Sequence, residues 1–200
     1  MRITVEEKNA TRQRIIDAAV GLFQTHGFEA TTTRDIARAA GIATGTLFNY
    51  FDTKEAIVTL LAVEALGKAR SVAVKQGLDG GLEEELFALV AAELRQLKPL
   101  RKFILPLLET VLSPLAVVKA NGAGESLRVE HLEAVTGLVG RHGLEDIPPL
   151  ALQVYWSLYT GVLAFWASDK SPKQEDTLAL LDQSLNMFVA WLRDAAGEPR

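Results

Sequence analysis

No cysteine occurs in this 200-residue chain, so disulfides, thiolate metal sites and cysteine nucleophiles are excluded by count. Histidine is almost as scarce. His26, His131 and His142 are the only three, and no two stand at the i, i+4 spacing that places a metal-binding pair on one helix face. Neither a metal nor a cofactor is expected. No glycine loop follows a strand in the manner of a phosphate cradle, and Gly77, Gly80 and Gly81 read as a turn. Acid–base candidates such as Glu109 with His131 belong to no catalytic motif, so the chain does not read as an enzyme. The opening MRITVEEKNATRQR carries charges where a signal peptide needs an apolar run, and no later stretch has the charge-free length of a membrane helix. The expectation is a cytoplasmic protein without membrane contact.

Hydrophobic residues make up 48% of the chain and charged residues 23%, the balance of a folded protein. The net charge of -4 is unevenly placed: residues 1–55 hold seven Lys/Arg and seven Asp/Glu, whereas residues 56–200 hold fourteen against eighteen. A near-neutral module can still bind a duplex if its few cations face the phosphates.

Apolar spacing predicts helices throughout, with no strand candidate and no internal repeat. A first helix fits Thr11–His26 and stops at Gly27. Thr32 with Asp35 has the spacing of a capping box, which starts a second helix at Thr33 that ends at Gly41. A third fits Thr44–Tyr50. Two short helices about a glycine-containing turn make a helix-turn-helix pattern. Asp52 and Glu55 suggest another capping box, before a long fourth helix reaching about Lys75. A fifth helix fits Leu82–Lys98, closed by Pro99, and a segment broken by Pro106 and Pro114 follows. Glu125–His142, a strongly apolar helix from Pro148 to Ser168, and an amphipathic helix capped by Ser171, Pro172 and Gln174 complete the chain. The economical reading is an all-α fold of about nine helices. A helix-turn-helix domain occupies residues 1–55 and a larger helical domain residues 56–200.

In a helix-turn-helix the second helix enters the major groove by its N-terminal end. Here that end is Thr44, Gly45 and Thr46, followed by Phe48 and Asn49. Gly45 permits close backbone approach, Thr46 offers a hydroxyl, and Asn49 suits adenine or a phosphate. Thr32, Thr33, Tyr50 and Lys54 read as phosphate clamps, which position the reader without conveying base identity.

The block TTTRDIARAAGIATGTLFNYFDTKEAI resembles the TetR family of bacterial transcriptional regulators. The family's G-T-L-Y-x-Y-F segment, capping residue and K-E are matched by Gly45, Thr46, Leu47, Phe48, Asn49, Tyr50, Phe51, Asp52, Lys54 and Glu55. Phe48 departs from a common tyrosine and Ala43 from a frequent capping serine, and each removes one polar group. The resemblance is specific over residues 10–60.

That resemblance implies a pocket for a small organic inducer among the fourth to eighth helices. Candidate lining residues are Phe103, Leu107, Val111, Trp156, Tyr159 and Phe165, with Glu109 as a polar selector. It also implies dimerisation through the last two helices. Trp166 on the first of them and the stripe Leu178, Leu181, Leu185, Phe188 and Leu192 on the second present more apolar surface than one subunit readily covers. The function so implied is a homodimeric repressor of a palindromic double-stranded DNA operator, released by its inducer. The alternative is a ligand-binding or protein-interaction module of the same fold with reduced or lost DNA binding.

Overall fold

The computed structural model describes residues 4–76, 80–108, 123–144 and 147–196, except for side chains at 73–76, 106–107 and 123–126. Every regular element among them is helical. The chain divides into two compact units, Met1–Leu60 and Leu61–Arg200.

In the first unit, Thr4 and Glu7 fix where the chain begins to coil. The Thr4 hydroxyl accepts from the Glu7 amide, and the Glu7 carboxylate accepts from the Thr4 amide. This capping box starts α1 (Val5–His26) well before Thr11. The signal was present as Thr4-x-x-Glu7. Gly27 closes α1 at φ 87°, a left-handed conformation that favours glycine, with its amide donating to Phe23 O. Thr32 and Asp35 form the expected reciprocal box at the start of α2 (Thr33–Ala39), and Gly41 turns the chain at φ 68°. α3 (Thr44–Phe48) is shorter than its predicted span. Asn49 and Tyr50 close it with tighter bonds to Thr46 O and Leu47 O. Helices this short have little stability of their own. They are held by a shared core in which Ile15, Ala19, Phe23, Ile36, Leu47 and Phe51 are buried. α4 (Lys54–Gln76) opens in this unit and continues beyond the division. Its N-cap is Thr53, whose hydroxyl accepts from Ala56 N, one residue later than the expected cap at Asp52.

The second unit contains α5 (Leu82–Leu97), a 3₁₀ turn (Lys98–Phe103), α6 (Ile104–Leu107), α7 (Ala123–Arg141), α8 (Pro149–Ser168) and α9 (Glu175–Ala196). Pro99 sits in the first turn of the 3₁₀ segment, where its missing amide hydrogen costs no helical bond, instead of ending the helical path. α5 packs on α7 and α9, α8 packs on α9, and α6 and the 3₁₀ turn pack on α8.

Contrary to the expectation from the sequence, α8 carries no charged residue and is long and apolar enough to pass as a membrane span by composition. Its stripe Ala151, Tyr155, Tyr159, Val162 and Trp166 is nevertheless buried within this unit. The opposite side, with Ser157, Gly161, Ala164 and Phe165, is exposed.

The α8–α9 corner differs from the predicted capping box at Ser171 and Gln174. Asp169 accepts from the amide and hydroxyl of Thr177, at 3.1 and 2.5 Å, and from Ser171 N at 2.7 Å. The Thr177 hydroxyl, together with the other donors, holds the Asp169 carboxyl well below the usual carboxylate range. Ser171 Oγ instead accepts from Asp176 N, and Gln174 Oε1 from the Trp166 indole. Lys173 and Gln174 adopt positive φ, which breaks the turn before α9.

Candidate nucleic-acid interface and buried polar core

α3 buries Leu47 and exposes Gly45, Phe48 and Asn49. Positions i, i+3 and i+4 of a helix share one face, so those three residues form a single outward strip. Thr44, Thr46 and Tyr50 flank it half-buried. Open space surrounds the position where Gly45 would carry a side chain, which leaves its backbone approachable from outside. Ala43 caps α3 without any side-chain hydrogen bond, so packing around Leu47 must hold the helix in place.

The expected clamps divide into two kinds. Thr33 and Tyr50 are half-buried beside exposed surface, whereas the hydroxyl of exposed Thr32 is tied to Asp35 at 2.5 Å. Lys54 turns inward. Its ammonium donates to Phe28 O at 2.7 Å, Thr31 O at 3.2 Å and Glu29 O at 3.4 Å, and lies 4.3 Å from the centre of the Phe28 ring. An ammonium has three donors, so a phosphate contact by Lys54 would require releasing carbonyls that it now satisfies. This corrects the expectation of a free clamp: Lys54 ties the α1–α2 loop to the start of α4. Arg34, not among the residues expected from the sequence, is exposed in the first turn of α2.

In the second unit the structure brings together polar residues where helical periodicity calls for apolar ones. Glu93 continues the buried α5 stripe Leu82, Leu86, Leu89 and Leu97. His131 stands in the buried α7 series Leu127, His131, Val135 and Val139, and Tyr155 and Tyr159 belong to the buried stripe of α8. His131 Nδ1 is 2.9 Å from Glu93 Oε1, and Nε2 is 3.0 Å from the Tyr155 hydroxyl. A carboxylate only accepts, so Nδ1 carries the hydrogen. The Tyr159 ring stacks on His131 at 4.1 Å, and the Trp156 ring meets it edge-on at 5.9 Å. Arg70 on α4 pairs with Glu130. Arg128 donates to Gln153 at 2.6 Å and lies over the Trp156 ring.

Burial, followed by the charge of Glu93, pushes both tyrosine hydroxyls well above their usual pKa. The Tyr159 hydroxyl thus feels the carboxylate, yet it makes no hydrogen bond of acceptable geometry. Glu93 Oε2 and Arg70 Nη1 are likewise buried without a partner. Each such group costs about 1–3 kcal/mol when left unpaired.

Of the expected pocket residues, Phe103, Trp156 and Tyr159 are buried in this unit. Phe165 is 41% exposed and lies off the buried stripe of α8, so it does not join them. Glu109 and Val111, and the side chain of Leu107, lie outside the described residues. Tyr159 was expected here, whereas Glu93 and Tyr155 were not, and His131 was considered only beside Glu109. Their signal was a lone glutamate and a lone histidine at stripe positions of otherwise apolar helices.

The residues expected at a dimer contact are mostly turned inward. Trp166, Leu181, Leu185, Phe188 and Leu192 are buried within their own subunit and have almost no surface left for a partner, whereas Leu178 is partly exposed. The apolar surface that remains on α9 is Leu180, Met187 and Trp191. On α8, Ser157, Gly161, Ala164 and Phe165 face outward, and no atom lies where a side chain on Gly161 would begin.

Residues 15–61 match the family model described as bacterial regulatory proteins, tetR family. The chain is 42% identical over 76 residues to the HTH-type transcriptional repressor KstR2 of Rhodococcus jostii, a match covering 36% of this chain and 37% of that protein. It is 30% identical over 87 residues to the HTH-type transcriptional repressor Rv1474c of Mycobacterium tuberculosis, covering 44% of this chain and 46% of that one. The chain thus spans less than half the length of these curated relatives. The structure is similar to that of Thermus thermophilus FadR, a TetR-family transcriptional repressor solved in complex with lauroyl-CoA, with TM-score 0.71 and 25% identity over 89% of this chain and 93% of that one.

Proposed function

We propose that this chain, whose residues 15–61 match the TetR family of bacterial regulatory proteins and whose fold is shared with a TetR-family repressor, is a homodimeric transcriptional repressor released from a palindromic operator by a small organic ligand. The observation that carries this reading is the outward strip Gly45, Phe48 and Asn49 on α3, within the segment that matches the family model. Asn49 offers a bidentate amide to adenine, and exposed Phe48 offers an apolar contact to a thymine methyl. Thr44, Thr46, Thr33 and Tyr50, together with Arg34, line the approach to phosphates. Lys54 acts at one remove, by fixing the loop that leads into α2.

Repression and ligand release are supported by the relatives: two are named repressors, and Thermus thermophilus FadR was solved with an acyl-CoA. A ligand releases DNA only if it binds unequally to the operator-competent conformer and to a second one. Phe103, Trp156 and Tyr159 remain the proposed apolar lining, with Leu107, Glu109 and Val111 as candidates alongside them.

The dimer is proposed through the outward face of α8, where Ser157, Gly161 and Ala164 permit close helix approach, and through Leu180, Met187 and Trp191 of α9. A two-fold axis there uses the same patch on both chains and offers two readers to half-sites about 34 Å apart or a multiple of that distance.

The test is fluorescence anisotropy with fragments of the surrounding genomic DNA, followed by competition with scrambled duplex. Selective binding to one inverted repeat is expected. Equal binding to all duplexes, or none, would favour the ligand-binding module without DNA function, a reading that the uncapped Ala43 and the inward Lys54 otherwise support.

A further inference from the structure

Three buried polar atoms from three helices lack partners in the second unit: Arg70 Nη1 on α4, Glu93 Oε2 on α5 and the Tyr159 hydroxyl on α8. Glu93 and Tyr159 meet around His131, with the carboxylate close to the Tyr159 hydroxyl, and the Arg70 charge is near enough to act on that hydroxyl. His131 joins them, being bonded to Glu93 at 2.9 Å and stacked on Tyr159 at 4.1 Å. Fold stability does not explain such an arrangement. Leucine at position 93 would continue the α5 stripe without leaving a charge in the interior, and phenylalanine at 159 would keep the stacking without an orphaned hydroxyl.

The chemistry of the three atoms is mixed. Arg70 Nη1 can only donate, the Glu93 carboxylate can only accept, and the tyrosine hydroxyl can do either. A matching group must therefore accept on one side and donate on the other. Charge restricts it further. An anionic ligand would meet the buried Glu93 carboxylate and a cationic one the Arg70 guanidinium, which is already paired with Glu130, so an ionic ligand would bring like charges together in a buried site. The rings of His131, Trp156 and Tyr159 supply flat apolar surface beside the polar atoms.

We propose that Arg70, Glu93 and Tyr159 form the polar end of the sensing site, and that they select an uncharged organic ligand bearing a carboxamide-like donor–acceptor group on a flat apolar body. The ligand carbonyl accepts from Arg70, its N–H donates to Glu93 Oε2, and Tyr159 completes the ring of bonds. This rests on the ligand-responsive reading above, and it specifies the chemistry that the inducer must present.

The test uses three small molecules of nearly equal shape on the full-length protein: benzamide, acetophenone, which keeps the acceptor but lacks the donor, and benzoate, which carries a charge. Dissociation constants come from ligand-observed NMR titration. Benzamide is expected to bind at least about tenfold more tightly than acetophenone, because a buried carboxylate left facing an apolar methyl loses a charged hydrogen bond. Benzoate is expected to bind most weakly. Glu93→Gln should bring the benzamide-to-acetophenone ratio toward one.

Tyr159→Phe keeps the proposal testable if Glu93→Gln misfolds. It should raise the thermal midpoint of the free protein, by removing an unsatisfied group, while weakening benzamide, two changes that a purely structural tyrosine would not combine. Equal binding of benzamide and acetophenone, tightest binding of benzoate, no binding of any of the three, or a crystal structure in which ordered water fills the cluster and benzamide does not displace it would each overturn the proposal. The sensing reading fails separately. Selective benzamide binding that left operator affinity unchanged would uphold the site and remove its link to DNA. Operator release by a compound indifferent to Glu93→Gln would do the reverse.

Discussion

Under the proposed function, Lys54 would matter to DNA binding without touching DNA. With its ammonium bound to three carbonyls of the α1–α2 loop, Lys54→Ala is expected to lower stability by about 1–2 kcal/mol. Affinity for every duplex should fall by a similar factor. The distinguishing measurement is the slope of affinity against salt, which should stay unchanged for Lys54→Ala and fall by about one ion for Arg34→Ala if Arg34 meets a phosphate. A reduced slope for Lys54→Ala would return it to the clamp.

Asp169 gives a pH dependence at the same scale. Its carboxyl is held low by Thr177 and Ser171, so its contribution is fully present above the unfolded value of about 3.9 and is lost as pH falls below that toward its native value. Asp169→Asn should therefore be less stable than the parent at neutral pH, and the difference should shrink in acid-melting curves taken below about pH 4. A difference that grew toward low pH would contradict the assignment.

Among the elements, α3 depends strongly on its neighbours. It spans Thr44–Phe48 with an alanine cap that makes no hydrogen bond. Ala43→Ser should stabilise the helix by about 0.5–1 kcal/mol if the new hydroxyl reaches the first-turn amides. A small rise in thermal midpoint, with unchanged operator preference, is the expected result. Asn49→Ala should instead alter preference at one position of the operator, read from a panel of single-base variants, and cost about 1–3 kcal/mol on the preferred sequence. Uniform weakening across the panel would make Asn49 a phosphate contact.

Much of this was legible at the level of elements. The Thr32–Asp35 box, the glycine turn and the amphipathic period of α5 and α9 are local signals, and local chemistry decides them. What periodicity does not say is who covers a buried stripe. Leu181, Leu185, Phe188 and Leu192 repeat as an interface stripe would, yet they face their own subunit because α5 and α8 lie against α9. The surface proposed to face a partner was harder to read, since small residues such as Gly161 and Ala164 carry little hydropathy. Glu93 and His131 were legible in principle, as breaks in apolar stripes. Their pairing across two helices is a tertiary fact that no spacing reveals.

For the whole molecule, the proposed function rests on two copies acting together. Linkage of two half-site contacts through one dimer raises affinity by about 10²–10⁴ without any new contact to DNA. Gly161→Arg places a large charged side chain where nothing of the subunit itself intrudes, so the monomer should fold normally while the pair separates. Met187→Glu, at a position 60% exposed, should act in the same direction. Sedimentation equilibrium should show the parent at twice 21.8 kDa and both variants shifted toward the monomer. Phe188→Glu, by contrast, strikes the interior and should unfold the chain.

The most direct test of a dimeric repressor reading DNA through α3 is a stoichiometric anisotropy titration on a palindromic operator, with its scrambled counterpart as control, at a fixed physiological salt concentration. The expected result is two chains per duplex and a preference for the palindrome of at least about 10³. The preference should be abolished by Asn49→Ala combined with Thr46→Ala, and affinity should be lowered by Gly161→Arg. Equal affinity for palindrome and scrambled duplex, or tight selective binding by one chain per duplex, would contradict it.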